Sequence, residues 1–168
     1  MDDKIDKARQ AFKRLRNDSK SLIMSTTDAS GRPDASTVPY VYDDQGNFIV
    51  FISQLAQHTK NLREQPRLAL MLIEDEPTAS NLFARKRVQY SCGATQADPE
   101  DQDKLLELFR NRHGKVVDLL ASLPDFALFK LRPDSGQFVM GFGQAYRLCG
   151  EQLDQFELIS PKSPDQST

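Results

Sequence analysis

Short β-prone runs joined by tight turns constrain the fold of this chain most strongly. Residues 21–27, 35–42 and 47–52 are rich in β-branched and aromatic residues, and the segments 28–31 and 43–46 between them carry the Asp and Gly residues that turns prefer. Strands with such short connections pair with their chain neighbours in antiparallel fashion. The pattern predicts an antiparallel meander, with an edge or a bulge at Pro39 because proline cannot donate to a ladder.

The remaining pattern adds strands and a few helices. Alternating or continuous apolar residues predict strands at 67–73, 87–96, 126–131 and 137–148, the last two joined by a turn at 133–136. Six or seven strands with mostly short connections favour a small antiparallel barrel with peripheral helices over a doubly wound fold. The sequence therefore predicts a mainly β fold with outer helices (α+β).

The length of 168 residues fits one domain with its own core. We expect a single domain over residues 1–159, with an N-terminal helix at 2–17, a barrel core at about 20–148 and a C-terminal helix at about 150–158. Residues 160–168 are rich in Ser, Pro and Asp, which predicts a disordered tail.

Charge and cysteine content exclude several classes of function. The net charge of −2 gives no general attraction to nucleic acid or acidic membranes, and no apolar run is long enough to span a bilayer. The two cysteines form no CxxC motif, which argues against a zinc site and a disulfide framework. The charged N-terminus is unlike a secretion signal, so we expect a cytoplasmic protein without a nucleic-acid or membrane partner.

The polar segment 53–66 is the first candidate site. It lies between two apolar runs, which predicts a short helix that begins where a strand ends. Free N–H groups and the helix dipole favour an anion at such a helix start, where Ser53, Thr59 and Lys60 would add donors to a phosphate or carboxylate. The alternative is a solvated connector in which Asn61 and Leu62 pack against the sheet.

Three further features carry possible ligand contacts. Arg85 and Arg87 share one face if they lie on a strand, and a guanidinium suits a phosphate or carboxylate; the alternative is an ion pair with an acidic residue of 74–76. His58 lies in the predicted anion-binding helix, where it would meet an anion or ligate a metal. Phe142 and Gly143 sit in a Gly-Phe-Gly run, which allows close approach of a flat ligand or a simple bend of the barrel.

The chain resembles known families at several of these positions. Residues 23–33 and 53–66, the latter with a His-x-x-Asn-Leu core, resemble the flavin-binding split barrels related to pyridoxamine 5′-phosphate oxidase. The second half resembles a narrower group, the heme-utilisation proteins of the HugZ/HutZ type, at residues 73–76, 82–87, 125–129 and 138–146. Together the matches cover residues from about 20 to 157.

This resemblance implies a six- to seven-stranded split β-barrel that forms a homodimer, with heme or FMN at the subunit interface. It places Arg85 in the ligand pocket and implies that Asp125 hydrogen-bonds an iron-ligating histidine of the C-terminal tail. Here the tail has no histidine, since the chain contains only His58 and His113. The iron ligand is therefore unknown, and a turn-capping role for Asp125 is the alternative.

Three functions follow as hypotheses. The protein binds heme across a dimer interface and degrades or traffics it, with Asp125 and Arg85 as the catalytic candidates and His58 next. Alternatively it is an FMN-dependent oxidoreductase, with the flavin phosphate at Ser53, Thr59 and Lys60 and the ring near Phe142. A third hypothesis is a non-enzymatic heme carrier or storage module.

Overall fold

A barrel of antiparallel strands forms the body of the protein, and four helices lie outside or across it. The computed structural model describes residues 2–159. Its strands are β1 (Ser21–Thr27), β2 (Pro33–Tyr42), β3 (Phe48–Ser53), β4 (Arg67–Ile73), β5 (Arg87–Gln96), β6 (Phe126–Gly141), β7 (Gln144–Cys149) and β8 (Gln155–Leu158). Its helices are α1 (Asp2–Asp18), α2 (Gln57–Glu64), α3 (Gln102–His113) and α4 (Val116–Ala121), with short 3₁₀ turns at Glu76–Thr78, Leu82–Ala84 and Pro99–Asp101.

The strands form one sheet in the order β3-β2-β1-β4-β5-β6-β7-β8. Every recorded pairing is antiparallel, and pairing of β3 with β6 closes the first six strands into a barrel. Strands β7 and β8 extend the sheet beyond this closure. The predicted split barrel, mainly β with peripheral helices, is confirmed.

The barrel interior follows from the period of two along each strand. On β1, Leu22 and Met24 point inward and are buried, whereas Ser21, Ile23 and Ser25 face outward. Helix α1 contributes to the same core through its apolar face. Several large side chains in the barrel interior are fully buried: Tyr40, Tyr146, Phe48, Phe138, Leu70, Leu72 and Leu131.

A second, smaller core fixes the end of the barrel that carries residue 53. Helices α3 and α4 bury Leu105, Phe109 and Val117 against the outward faces of Ile49 on β3 and Leu128 on β6. Strand β3 is therefore covered on both faces, as its nearly continuous apolar sequence indicates. This double packing holds the last residues of β3 and the first residues of β6 in one place.

The predicted turn at residues 133–136 is wrong. Strand β6 passes through this segment and stays paired with β5, with a register shift between Ser91 and Cys92. An irregularity of this kind accommodates Pro133, which cannot donate to the ladder. The chain reverses later, at Phe142 and Gly143, where Gly143 has a φ of 65° that a tight hairpin turn requires.

The predicted C-terminal helix at about 150–158 is also wrong. A turn at 150–153 leads into β8, which pairs with β7 from Tyr146↔Leu158 to Cys149↔Gln155. Its Phe156 packs edge-on against Phe12 and Tyr146, so the segment is held as a strand by the aromatic core. The predicted disordered tail at 160–168 lies outside the described residues.

Two further expectations concern Pro39 and the membrane. Pro39 lies within the sheet, at the point where β2 passes from pairing with β1 to pairing with β3, so it marks a change of partner rather than an edge. None of the helices formed by residues 2–159 has the length and apolar character needed to cross a bilayer.

Candidate functional site

Buried hydrogen bonds fix the junction between β3 and α2. Thr59 is fully buried, and its hydroxyl donates to the carbonyl oxygen of Ser53 at 2.6 Å. Asn61 is also buried and donates from Nδ2 to the Thr26 hydroxyl at 2.9 Å, while Leu62 enters the barrel core. The packing role considered for Asn61 and Leu62 is therefore observed, and the Thr59 hydroxyl is used within the chain.

Asp125 is part of the same junction. Its Oδ2 accepts a hydrogen bond from the Ser53 hydroxyl at 2.8 Å, and its carbonyl oxygen accepts from the Gln54 amide at 2.6 Å. The Ser53 Oγ accepts in turn from the Leu55 amide at 3.1 Å. Pairing of Ser53 with Phe126 in the β3–β6 ladder brings these residues together. Asp125 therefore stabilises the chain reversal after β3 and places a carboxylate at the start of α2.

His58 and Lys60 lie on the outer side of this junction. Lys60 is exposed, whereas His58 is half-buried and its Nε2 is enclosed without a hydrogen-bond partner among the described residues. Burial lowers the pKa of His58 below its ordinary value, and the nearby Asp34 carboxylate opposes this effect only partly. His58 therefore brings no positive charge to the junction at neutral pH.

We call Ser53, Asp125 and the start of α2 the Asp125 end.

Arg85 is held by its own loop between β4 and β5. Its Nε donates to the Glu74 carbonyl oxygen at 3.0 Å, its Nη2 donates to the same oxygen, and its Nη1 lies 3.3 Å from Glu76 Oε1. The local ion pair considered from the sequence is thus present, with Glu76 as the partner. Only 18% of the Arg85 side chain is exposed, so the loop presents its guanidinium in one orientation.

A second pair of charges supports this loop. Lys86 Nζ lies 2.9 Å from Glu74 Oε1, and the Lys86 amide also donates to the Glu74 carboxylate. Burial on its own raises the pKa of Glu74, but the hydrogen bonds from Lys86 outweigh burial and hold that pKa below its usual value. The carboxylate is therefore ionised at neutral pH and anchors the segment that carries Arg85.

Arg87 and the β6–β7 hairpin adjoin Arg85. Arg87 pairs with Val139 near the end of β6, and its Nη1 donates to the Arg85 carbonyl oxygen at 3.1 Å. The hairpin exposes 68% of Phe142, and the neighbouring 3₁₀ turn exposes 88% of Phe83. Exposed aromatic rings beside guanidinium groups are typical of surfaces that contact a ligand or another chain. We call Arg85, Arg87, Phe142 and Gly143 the Arg85 end.

The Asp125 end and the Arg85 end lie at opposite ends of β6. Asp125 directly precedes this strand, whereas the Arg85 end adjoins its last residues. Strand β6 has 16 residues, so its path covers roughly 50 Å. A single chain therefore does not bring the two groups of predicted site residues together.

Exposed apolar side chains lie close in the chain to the Asp125 end. Leu55, Leu119 and Leu123 are 76%, 64% and 41% exposed, and they lie next to Ser53 or on the segment leading to Asp125. Neither imidazole offers an open Nε2, because His113 Nε2 lies 2.9 Å from the Tyr40 carbonyl oxygen and His58 Nε2 is enclosed. Within residues 2–159 no cluster of three His, Cys, Asp or Glu side chains suits a metal ion. Among the described residues, the Asp125 end therefore combines exposed apolar side chains with one carboxylate and has no imidazole with an open Nε2.

An open recess lies on the outer face of the sheet, away from α3 and α4. Its volume is about 780 Å³, and it is lined by residues of β1, β4, β5, β6 and β7, by Gly150 and Leu153 of the turn after β7, and by Ile159. Ile23 and Met71 form part of its apolar lining, and Arg147 lies among its polar residues. Helices α3 and α4 do not line this recess, whereas α1 adjoins Ile23 and Met71 in a neighbouring recess.

The fold and these residues match a known family. The model of the pyridoxamine 5′-phosphate oxidase family matches residues 8–140 of the chain. The chain belongs to this family. The match covers five complete barrel strands, β1 to β5, and nearly all of the sixth. It includes the Asp125 end and, of the Arg85 end, Arg85 and Arg87.

The narrower resemblance to the HugZ/HutZ group is confirmed as well. The chain is 41% identical over 147 residues to the heme oxygenase HutZ of Vibrio cholerae serotype O1, covering 86% of this chain and 83% of that protein. A crystal structure of Vibrio cholerae HutZ, described there as a heme storage protein, superposes with a TM-score of 0.74 at 36% identity and covers 85% of this chain and 96% of that chain.

Two more distant proteins are also similar to the chain, one by structure and one by sequence. Campylobacter jejuni ChuZ superposes with a TM-score of 0.84 at 24% identity, covering 97% of this chain and 66% of that chain. The chloroplastic non-canonical heme oxygenase HOZ of Arabidopsis thaliana is 26% identical over 121 residues, which are 72% of this chain but only 36% of that protein.

The sequence did not indicate three contacts of the site. The bonds Ser53–Asp125 and Asn61–Thr26 and the position of Asp34 near His58 join residues far apart in the chain. The sequence held one signal for the Ser53–Asp125 contact, because Ser53 directly follows one predicted strand and Asp125 directly precedes another. Barrel closure by those two strands brings such positions together.

Proposed function

We propose that the protein is a heme-utilisation protein that binds heme between two copies of the barrel. The observation that carries the proposal is the 41% identity to HutZ across 86% of the chain. Heme is here the cargo or substrate, a planar macrocycle with two carboxylates. Apolar side chains beside Asp125 suit its macrocycle, and a guanidinium such as that of Arg85 suits a carboxylate.

In this proposal two copies complete one site. The Asp125 end of one chain and the Arg85 end of its partner together supply a carboxylate acceptor, apolar walls and cations. The separation of these ends along β6 supports this arrangement, and so does the open recess at Ile23 and Met71. A dimer of moderate affinity is expected by light scattering at micromolar concentration, and a monomer under those conditions contradicts the arrangement.

Asp125 and Arg85 have different tasks at this site. Asp125 keeps one carboxylate oxygen on Ser53 and offers the other to a hydrogen-bond donor on the bound group or its ligand. Arg85 orients the macrocycle through a carboxylate, and Phe142 packs against the ring or the partner chain. The bound heme supplies the oxygen chemistry when a reductant is present.

A titration with hemin tests the proposal. Purified protein is expected to give a sharp Soret band that saturates at a fixed ratio of hemin to chain. The matched variants Asp125→Asn and Arg85→Lys are expected to shift the band or weaken binding, whereas Asp118→Asn on the exposed side of α4 leaves both unchanged. A broad absorbance that grows without saturation would falsify the proposal.

Turnover and storage are separate hypotheses for the same site, and HutZ has been described in both ways. Incubating the hemin complex with a reductant in air separates them. Loss of the Soret band with release of chelatable iron, dependent on Asp125, supports a heme-degrading oxygenase. A stable band, with hemin transferred intact to an acceptor protein, supports a carrier or storage module.

FMN binding is the second candidate function, and the family match favours it. The phosphate would then lie at the start of α2 near Lys60, with the ring near Phe142. A yellow protein as purified, or saturable quenching of FMN fluorescence that Lys60→Glu abolishes, supports an oxidoreductase. The cytoplasmic location expected from the sequence stays a prediction, which cell fractionation tests.

A further inference from the structure

The junction between β3 and α2 has few hydrogen-bond donors left for a ligand. The hydroxyl of Ser53 donates to Asp125 and that of Thr59 donates to the Ser53 carbonyl oxygen. The amides of Gln54 and Leu55 are also used, by the Asp125 carbonyl oxygen and the Ser53 Oγ. A phosphate needs several such donors, and these four already serve the chain itself.

The charge at the junction opposes a phosphate as well. The carboxylate of Asp125 stands within hydrogen-bond distance of the Ser53 hydroxyl, at 2.8 Å. A phosphate monoester carries nearly two negative charges at neutral pH, and like charges at close range repel most strongly where water is partly excluded. The imidazole of His58 is neutral there, because burial holds its pKa below the ordinary value. Lys60 and Arg63 are the side-chain cations of α2, and Arg63 already donates from Nη2 to Gln54 Oε1 at 3.0 Å.

From these contacts we infer that Asp125 and Ser53 determine ligand specificity by excluding phosphorylated flavin from the Asp125 end. The inference rests on the proposed function for the location of the site. Within a family of flavin-binding barrels, the carboxylate and the occupied hydroxyl close the phosphate position and leave the junction to a guest without a phosphate. Specificity of this kind arises from repulsion of the wrong ligand as much as from attraction of the right one.

Binding of FMN and riboflavin, measured by fluorescence quenching, tests the inference. The two ligands share the ring and differ in the phosphate alone. Asp125→Asn removes the charge, keeps the shape and keeps an acceptor for Ser53. It is expected to raise the affinity for FMN by about tenfold, while the affinity for riboflavin stays constant. Asp125→Glu keeps the charge and is expected to exclude FMN as the wild type does.

Two controls make the outcome specific. Asp118→Asn, an equal change of charge on the exposed face of α4, is expected to leave FMN affinity unchanged. In the wild-type protein FMN is expected to bind no more tightly than riboflavin, a comparison that needs no variant to fold.

Tenfold tighter binding of FMN than of riboflavin by the wild type overturns the inference, and so does an equal rise for both ligands in Asp125→Asn. The hemin titration is independent of these results. If the protein does not bind hemin but gives the expected flavin results, the proposed function is rejected and the specificity role of Asp125 stands.

Discussion

Asn61 and Thr26 form a hydrogen bond of 2.9 Å between two side chains that are each 1% exposed. The bond ties α2 to β1, and Gln57 Nε2 donates to the other end of the same amide at 2.8 Å. This buried amide therefore helps to fix the orientation of α2, together with the Thr59–Ser53 hydrogen bond and the burial of Leu62.

Replacing Asn61 by Ala is expected to lower the free energy of unfolding by about 1–3 kcal/mol, because the buried Thr26 hydroxyl loses its partner. Urea denaturation gives the value. Glu64→Ala, on an exposed position of the same helix, is the control and is expected to change the free energy by less than about 0.5 kcal/mol. Equal effects of the two changes contradict the role given to Asn61.

Arg112 stabilises the end of α1 by donating to the carbonyl oxygens of Asn17 and Ser19, while its guanidinium lies 5.5 Å from the ring centre of Tyr40. Arg112→Met is expected to lower the free energy of unfolding by about 1–2 kcal/mol and to speed amide exchange in the last turn of α1. Arg110→Met removes an exposed ion pair with Asp118 and is expected to change the free energy by about 0.5 kcal/mol or less. Unaltered exchange in α1 of Arg112→Met speaks against this contact.

His58 makes folding sensitive to mildly acidic pH. Because burial lowers its pKa in the folded protein, the unfolded chain binds a proton below the ordinary value of 6.5 while the folded protein still excludes it. The free energy of unfolding is therefore expected to fall as the pH drops below 6.5. The contribution of His58 to this fall ends at the pH where the folded protein also binds the proton. Denaturation curves at several pH values should lose this component in His58→Gln. If the free energy of unfolding changes with pH equally in the wild type and in His58→Gln, a group other than His58 causes the pH dependence.

Glu76 competes with any ligand for the Arg85 guanidinium at 3.3 Å. Removing this exposed ion pair with Glu76→Gln is expected to tighten hemin binding about two- to fivefold, and Arg85→Lys is expected to weaken it. Asp75→Asn is the matched control, since it removes the same charge from the adjacent exposed position. A similar gain in Asp75→Asn indicates a general effect of charge rather than release of Arg85.

Gly136 and Gly141 lie on the same strand but have different surroundings. A Cβ at Gly136 would lie 2.8 Å from the Tyr90 ring, whereas the nearest neighbour of a Cβ at Gly141 is Gln144 Nε2 at 3.8 Å. Gly136→Ala is expected to destabilise the protein by about 1–3 kcal/mol because the buried Tyr90 must move, and Gly141→Ala is expected to be nearly neutral. Melting temperatures of the two variants give the comparison. A tolerated Gly136→Ala means that Tyr90 repacks without strain.

The sequence was sufficient where strong local signals bound an element. The predicted bounds of β1, β4 and β5 equal the observed Ser21–Thr27, Arg67–Ile73 and Arg87–Gln96, because turn residues or charged loops flank each apolar run. The same local signals misled at residues 133–136, since a Pro-Asp-Ser-Gly sequence suits a turn and a bulge equally. The long-range pairing with β5 decided between them.

The candidate site was predictable only in part. Ser53, Asp125 and Arg85 were recognised as separate candidates, but the contact of Ser53 with Asp125 spans 72 residues of chain and follows from barrel closure. The burial of Thr59 was likewise set by packing of α2 against the barrel, which a polar sequence does not reveal.

The length of β6 has a genetic consequence. Asp125 precedes its first residue, and the Arg85 loop lies beside its last residues. In the shared pocket that we propose, each half would come from a different subunit. Mixing two defective variants, Asp125→Asn and Arg85→Lys, would then rebuild one intact pocket in every hybrid dimer, so that two inactive alleles complement one another.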